Sequence, residues 1–258
     1  MILRGDFSSE VLRVSTNIQI LAPDSGEGPY RVVYLFHGMH GNQGTWINNT
    51  MLPIFAKKYN AIFVMPEVCR SFYIDLKYGR KYYTYVSEEL PKVCRKFFNI
   101  SHRREDSAVM GCSMGGFGAL YLALSKPEQY GFCGAISSAC LSPKPMLDAL
   151  RKDPEPWLKT GPEANEIFVD LKSIYGDELE YNAEYDILKR IKDFPSGASK
   201  PEIYAACGTE DDLRSDSLSL RDTMTNTGFD FTYEEWTGDH DWYFFSDALK
   251  KAIEHWYK

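Results

Sequence analysis

No stretch of this chain approaches the 18 consecutive apolar residues that a membrane-crossing helix needs, and Met1 to Asp6 leads into no basic-then-apolar segment. Neither export nor membrane insertion is expected, and the expected location is cytoplasmic. Basic residues are in deficit: 29 Lys and Arg against 36 Asp and Glu give a formal net charge of −7. That balance argues against a surface dedicated to nucleic acid or to an anionic membrane, and points to a small-molecule substrate. The cysteines Cys69, Cys94, Cys112, Cys133, Cys140 and Cys207 form no C-x-x-C pair and sit in mostly apolar settings, so they read as reduced core residues. No H-E-x-x-H or other metal-ligand spacing occurs among the histidines, and neither a metal nor another cofactor is expected.

What is present is enough apolar material for a full core. With 258 residues at 44% hydrophobic content, a single domain over 1–258 is expected. Arg31 to Phe36, Ala61 to Pro66, Ala108 to Met110, Gly131 to Ser138 and Pro201 to Cys207 are short continuous apolar runs, the pattern of strands covered on both faces. Helix-period segments separate them, which predicts an α/β architecture: a mostly parallel central sheet flanked by helices. Partial alternation from Glu10 to Ala22 predicts one or two antiparallel edge strands. Pro91 is expected in the first turn of a helix near 86–98, or at a bend in it. Between 142 and 200 the rhythm breaks. Six prolines and two amphipathic pieces there predict a helical insertion over the sheet, a candidate lid.

Gly111-Cys112-Ser113-Met114-Gly115-Gly116 follows a strand and opens a helix. A G-x-S-x-G match gains meaning at such a junction, because a sharp turn lifts the serine oxygen above the sheet edge while the helix N-terminus offers unpaired N–H groups. A serine hydroxyl needs a base, and the base needs a carboxylate to fix its tautomer. Asp211 lies just past a predicted strand ending at Cys207-Gly208, and His240 just past another ending at Trp236. The order Ser, Asp, His at parallel strand ends fits acyl transfer. Glu210, Asp211 and Asp212 are consecutive, so spacing leaves the choice of acid open. The loop His37-Gly38-Met39-His40-Gly41, past another strand, is placed to supply a second oxyanion donor.

These residues resemble a family. Gly-Cys-Ser-Met-Gly-Gly, His-Gly-Met-His-Gly-Asn with Trp46 following, Met-Pro-Glu with Ser-Phe-Tyr at 71–73, Glu-Glu-Leu-Pro at 88–91, Cys-Gly-Thr-Glu-Asp at 207–211 and Gly-Asp-His-Asp-Trp at 238–242 are similar to the esterase D-type α/β-hydrolases. Within them the likeness is to the tributyrin-esterase and feruloyl/acetyl-esterase branch. The resemblance implies the α/β-hydrolase fold, with Ser113 as nucleophile, Asp211 as acid, His240 as base, and the backbone N–H groups of Met39 and Met114 as oxyanion hole. Asp212 departs from the branch, which often has an aromatic there. A serine carboxylesterase acting on short-chain, acetyl or feruloyl esters is the expected activity, possible on carbohydrate-linked substrates because Trp46, Tyr73, Tyr82 and Trp242 are candidates to stack on rings. The alternatives are an S-formylglutathione hydrolase-like thioesterase and an inactive binding protein of the same fold. Homo-oligomerisation stays open.

Overall fold

A computed structural model describes residues 1–258 and contains one eight-stranded sheet in the order β1-β2-β4-β3-β5-β6-β7-β8. The strands are β1 Ile2–Ser9, β2 Val14–Leu21, β3 Arg31–Phe36, β4 Ala61–Pro66, β5 Ser107–Cys112, β6 Phe132–Ile136, β7 Glu202–Gly208 and β8 Phe231–Trp236. β1 and β2 pair antiparallel, β2 meets β4 antiparallel, and every pair from β4 onward is parallel. Parallel strands β3 to β7 are the expected apolar runs, while β8 at the edge is only partly buried; all residues of β4 and β6 are buried.

Side chains alternate across the sheet, so each strand feeds two cores. Val32, Tyr34 and Phe36 join the larger cluster of 43 buried residues, while Val33 and Leu35 join one of 24. Helix Trp242–Trp256 covers the smaller core with Phe245, Leu249, Ala252, Ile253 and Trp256, the helix-period set seen in the sequence. Helix Met114–Ser125 lies on the other face and is buried from Met114 to Leu124. A helix apolar all round has cover on every side. Here the second cover is the 142–200 segment, whose helices Lys144–Lys152, Pro162–Tyr175 and Ile187–Lys192 add Leu147, Leu171, Ile174, Ile187 and Ile191 to the same core. It contains no strand, as expected of a helical insertion.

Two local expectations take a more definite form. Only β2 falls within 10–22; its partner β1 lies upstream, and residues 10–13 form the turn between them. Ile2 to Asp6 are exposed, so burial never imposed a clear alternation on that strand. Pro91 sits near the start of helix Leu90–Phe97, but the chain is already helical upstream, and a π-helical turn spans Tyr85–Glu89. Proline has no N–H to return to the carbonyl four residues back, which favours local rearrangement of the ladder just before it.

Candidate active site

The carboxyl ends of β3, β5, β6, β7 and β8 are neighbours along one sheet edge, and each carries a piece of the site. Ser113 follows β5 with φ 55° and ψ −121°, outside the regions that L-residues favour. Surrounding groups hold it there. Its N–H donates to the Ile136 carbonyl at 2.9 Å, and its own carbonyl accepts from Gly116, Phe117 and Ala139 at 3.0, 3.1 and 3.2 Å. At Gly115 a Cβ would drive into the Phe36 carbonyl, so only glycine lets the helix approach β3 this closely.

Of the three consecutive acids, Asp211 is buried while Glu210 and Asp212 are exposed. The Asp211 Oδ2 lies 2.8 Å from Nδ1 of His240, and its Oδ1 accepts from the Leu213 N–H at 2.8 Å. Burial pushes this carboxyl up, but hydrogen bonds from His240, the Leu213 N–H and the neighbouring Ser137 hydroxyl outweigh it and leave the group below the usual aspartate value. With the proton on Nδ1 donated to the carboxylate, Nε2 is the free acceptor of the ring. The His240 side chain is 33% exposed and packs edge-on against Phe245 at 5.0 Å. The structure joins Asp211 to His240; it draws no hydrogen bond between His240 Nε2 and Ser113 Oγ, a contact that commonly tightens only in a substrate complex.

The loop after β3 brings Gly38 against Ser113, where a Cβ on Gly38 would lie 3.4 Å from the Ser113 Cβ. Neither the Met39 nor the Met114 N–H donates a hydrogen bond within the chain. Buried polar contacts fix this loop. His37, 1% exposed, donates through Nδ1 to the Gly38 carbonyl at 2.8 Å and accepts at Nε2 from the Val68 N–H at 3.4 Å. The Glu67 carboxylate accepts from the Cys69 N–H at 2.7 Å and the Gln43 N–H at 3.3 Å, tying the loop to the segment after β4.

The aromatic candidates divide. Tyr73 is fully buried, stacks on Phe36 at 4.2 Å and donates to the His37 carbonyl at 2.9 Å. Trp46 is fully buried, donates to the Phe36 carbonyl at 2.9 Å and meets Trp242 edge-on at 5.2 Å. Stacking on a substrate ring is closed to both; they are posts under the loop after β3. Tyr82 is buried as well, at 7% exposure, and only Trp242 keeps a partly open face. Cys112, beside the serine, is buried, and that burial pushes its thiol well up, which makes it inert.

The sequence reading passed over two features. Ser137, past β6 with φ 44°, stands beside the acid, and only its position after a strand hinted at this. Arg70 reaches Asp170 at 2.8 Å and Glu166 at 3.3 Å, while His40 reaches Glu163 at 3.1 Å, so one face of insertion helix Pro162–Tyr175 is fastened to the loops around the site. The spacing of Glu163, Glu166 and Asp170 on one helix face was the available signal.

Residues 9–255 match the family described as "Putative esterase". The chain belongs to this esterase family. It is 30% identical to an acetyl esterase from Caldicellulosiruptor saccharolyticus, over 98% of this chain and 97% of that protein. It is 24% identical to the S-formylglutathione hydrolase of Bos taurus, over 91% of this chain and 85% of that one. Among solved structures it resembles FphF, a fluorophosphonate-binding serine hydrolase of Staphylococcus aureus, with a TM-score of 0.85 at 22% identity, covering 100% of this chain and 98% of that one. A ferulic acid esterase superposes with a TM-score of 0.77 at 20% identity, over 99% and 96% of the two chains. The esterase thus has the α/β-hydrolase fold and is a carboxylic ester hydrolase.

Two outcomes follow for this esterase. Tyr73→Phe leaves the buried His37 carbonyl without its donor, and should cost about 1–3 kcal/mol in urea unfolding; unchanged stability with a raised KM alone would return Tyr73 to substrate contact. Asp211 has a folded-state pKa below its unfolded one. Its contribution is therefore complete above about pH 4, the unfolded value, and is lost as pH falls through the lower folded value. The stability advantage of wild type over Asp211→Asn should shrink on acidification below about pH 4, and a pH-independent difference would contradict the pairing.

Proposed function

We propose that the esterase works as a serine carboxylesterase through an acyl-enzyme, with Ser113 as nucleophile, His240 as base and Asp211 as the acid that orients it. The observation that carries this reading is the 2.8 Å His240–Asp211 bond at the same sheet edge as a serine held in a strained elbow. Ser113 Oγ attacks the ester carbonyl as His240 Nε2 takes its proton; the imidazolium, stabilised by Asp211, then protonates the departing alcohol. The Met39 and Met114 N–H groups receive the oxyanion, where donors already in place need no reorganisation. Water attacks the acyl group in the second half, with His240 again as base.

For the acyl group we favour acetyl and other short chains. The acetyl esterase at 30% identity supports this. Trp242, partly exposed and packed with His240 against Phe245, is the aromatic candidate left to contact the alcohol, and it supports a carbohydrate-linked ester. Fastened to Arg70 and His40, the insertion is our candidate for the cover of the site. The likeness to S-formylglutathione hydrolases favours thioester cleavage at the same serine as the second reading.

The test is hydrolysis of p-nitrophenyl esters from acetate to decanoate, methyl ferulate and S-formylglutathione by wild type and Ser113→Ala. Acetate should be preferred, with the variant slower by about a thousand-fold or more. A variant that keeps most activity would overturn the mechanism. Preference for decanoate would overturn the acyl assignment, and preference for the thioester would install the second reading.

A further inference from the structure

β1 is an edge strand whose outer side meets nothing in the chain. Only β2 pairs with it, in unbroken register from Ile2↔Leu21 to Ser9↔Val14, and Ile2 to Asp6 are exposed. Met1 and Ala22 exchange both backbone bonds, at 2.7 and 2.9 Å. Hydrogen-bonded and non-hydrogen-bonded pairs alternate along an antiparallel ladder, so Leu3, Gly5 and Phe7 also aim their backbone groups at β2. Those of Ile2, Arg4, Asp6 and Ser8 therefore point outward. Edges of this kind are ordinarily blocked by proline, a bulge or clustered like charge. β1 has none of these; its two charges, Arg4 and Asp6, stand symmetrically about Gly5, and neither forms an ion pair within its own chain.

We propose that β1 pairs antiparallel with β1 of a second copy of this chain about a two-fold axis at Gly5, joining two eight-stranded sheets into one. In that register Arg4 faces Asp6 of the other copy twice, and Ile2 faces Ser8 twice. Every residue with outward backbone groups meets another such residue, as an antiparallel ladder requires. Shifting by two residues in either direction sets Arg4 against Arg4 or Asp6 against Asp6, so charge selects the one register. On the opposite face Leu3, 38% exposed, comes against Phe7 of the other strand across the side-chain-free Gly5 positions. A closed two-fold pairing also removes the free edge, a hazard in a regular exposed strand.

Sedimentation velocity from about 1 µM to about 1 mM tests the pairing on wild type, Arg4→Asp, Asp6→Arg and the double reversal. Wild type should dimerise. Each single reversal turns two attractive cross-strand pairs repulsive and should weaken the dimer about tenfold or more, while the double reversal should restore it. Ester hydrolysis and circular dichroism serve as folding controls, because neither residue belongs to the active site. A wild type monomeric throughout, a dimer indifferent to the single reversals, or a double reversal as dissociated as the singles would each overturn the proposal.

Discussion

The site depends on one strained residue. Ser113 holds a left-handed backbone that costs on the order of 1–3 kcal/mol, and such strain persists only where its surroundings over-determine it. Four backbone hydrogen bonds, to Ile136, Gly116, Phe117 and Ala139, do so here. They tie the elbow to β6 on one side and to its own helix on the other. The helix can sit so close because Gly115 presents no side chain to the Phe36 carbonyl, and that contact also sets where the β3 loop begins. The proposed nucleophile and the proposed oxyanion donors are thereby placed by a single packing arrangement.

Around that point Asp211, His37 and Glu67 have hydrogen-bond partners within the chain, which is the condition for a preorganised site. Asp211 loses solvent but gains hydrogen bonds, and the gain prevails. The His37 loop is braced by Tyr73 from above, Val68 and Glu67 from the side, and Trp46 through the Phe36 carbonyl. The bonds that stabilise the fold here also fix the loop that carries Met39. The ion pairs of Arg70 and the His40–Glu163 contact extend the bracing to the insertion, so the cover over the elbow helix is joined to the loops around the site.

The sheet was legible because parallel strands buried on both faces need continuous apolar runs, and β3, β4 and β7 show them. Ser113 was legible because its loop follows such a run, and His240 because its loop follows the strand that ends at Trp236. The aromatic residues were not: Trp46 in the short helix Thr45–Asn49 and Tyr73 in a loop both follow strands at the active edge, as a substrate contact would, and only their burial shows that their rings face inward. The acid was ambiguous for a related reason. Asp211 and Asp212 share one chemistry, and the turn after β7 alone decides which is buried against His240. β1 was missed because an exposed edge carries no burial pattern to read.

The most direct test of the central claim is labelling by a fluorophosphonate probe followed by peptide mapping, in wild type, Ser113→Ala and His240→Ala. The account predicts one equivalent on Ser113 in wild type, none in Ser113→Ala, and in His240→Ala a rate lower by about a thousand-fold or more. A folded wild type that resists the probe, or label on any residue other than Ser113, would contradict it.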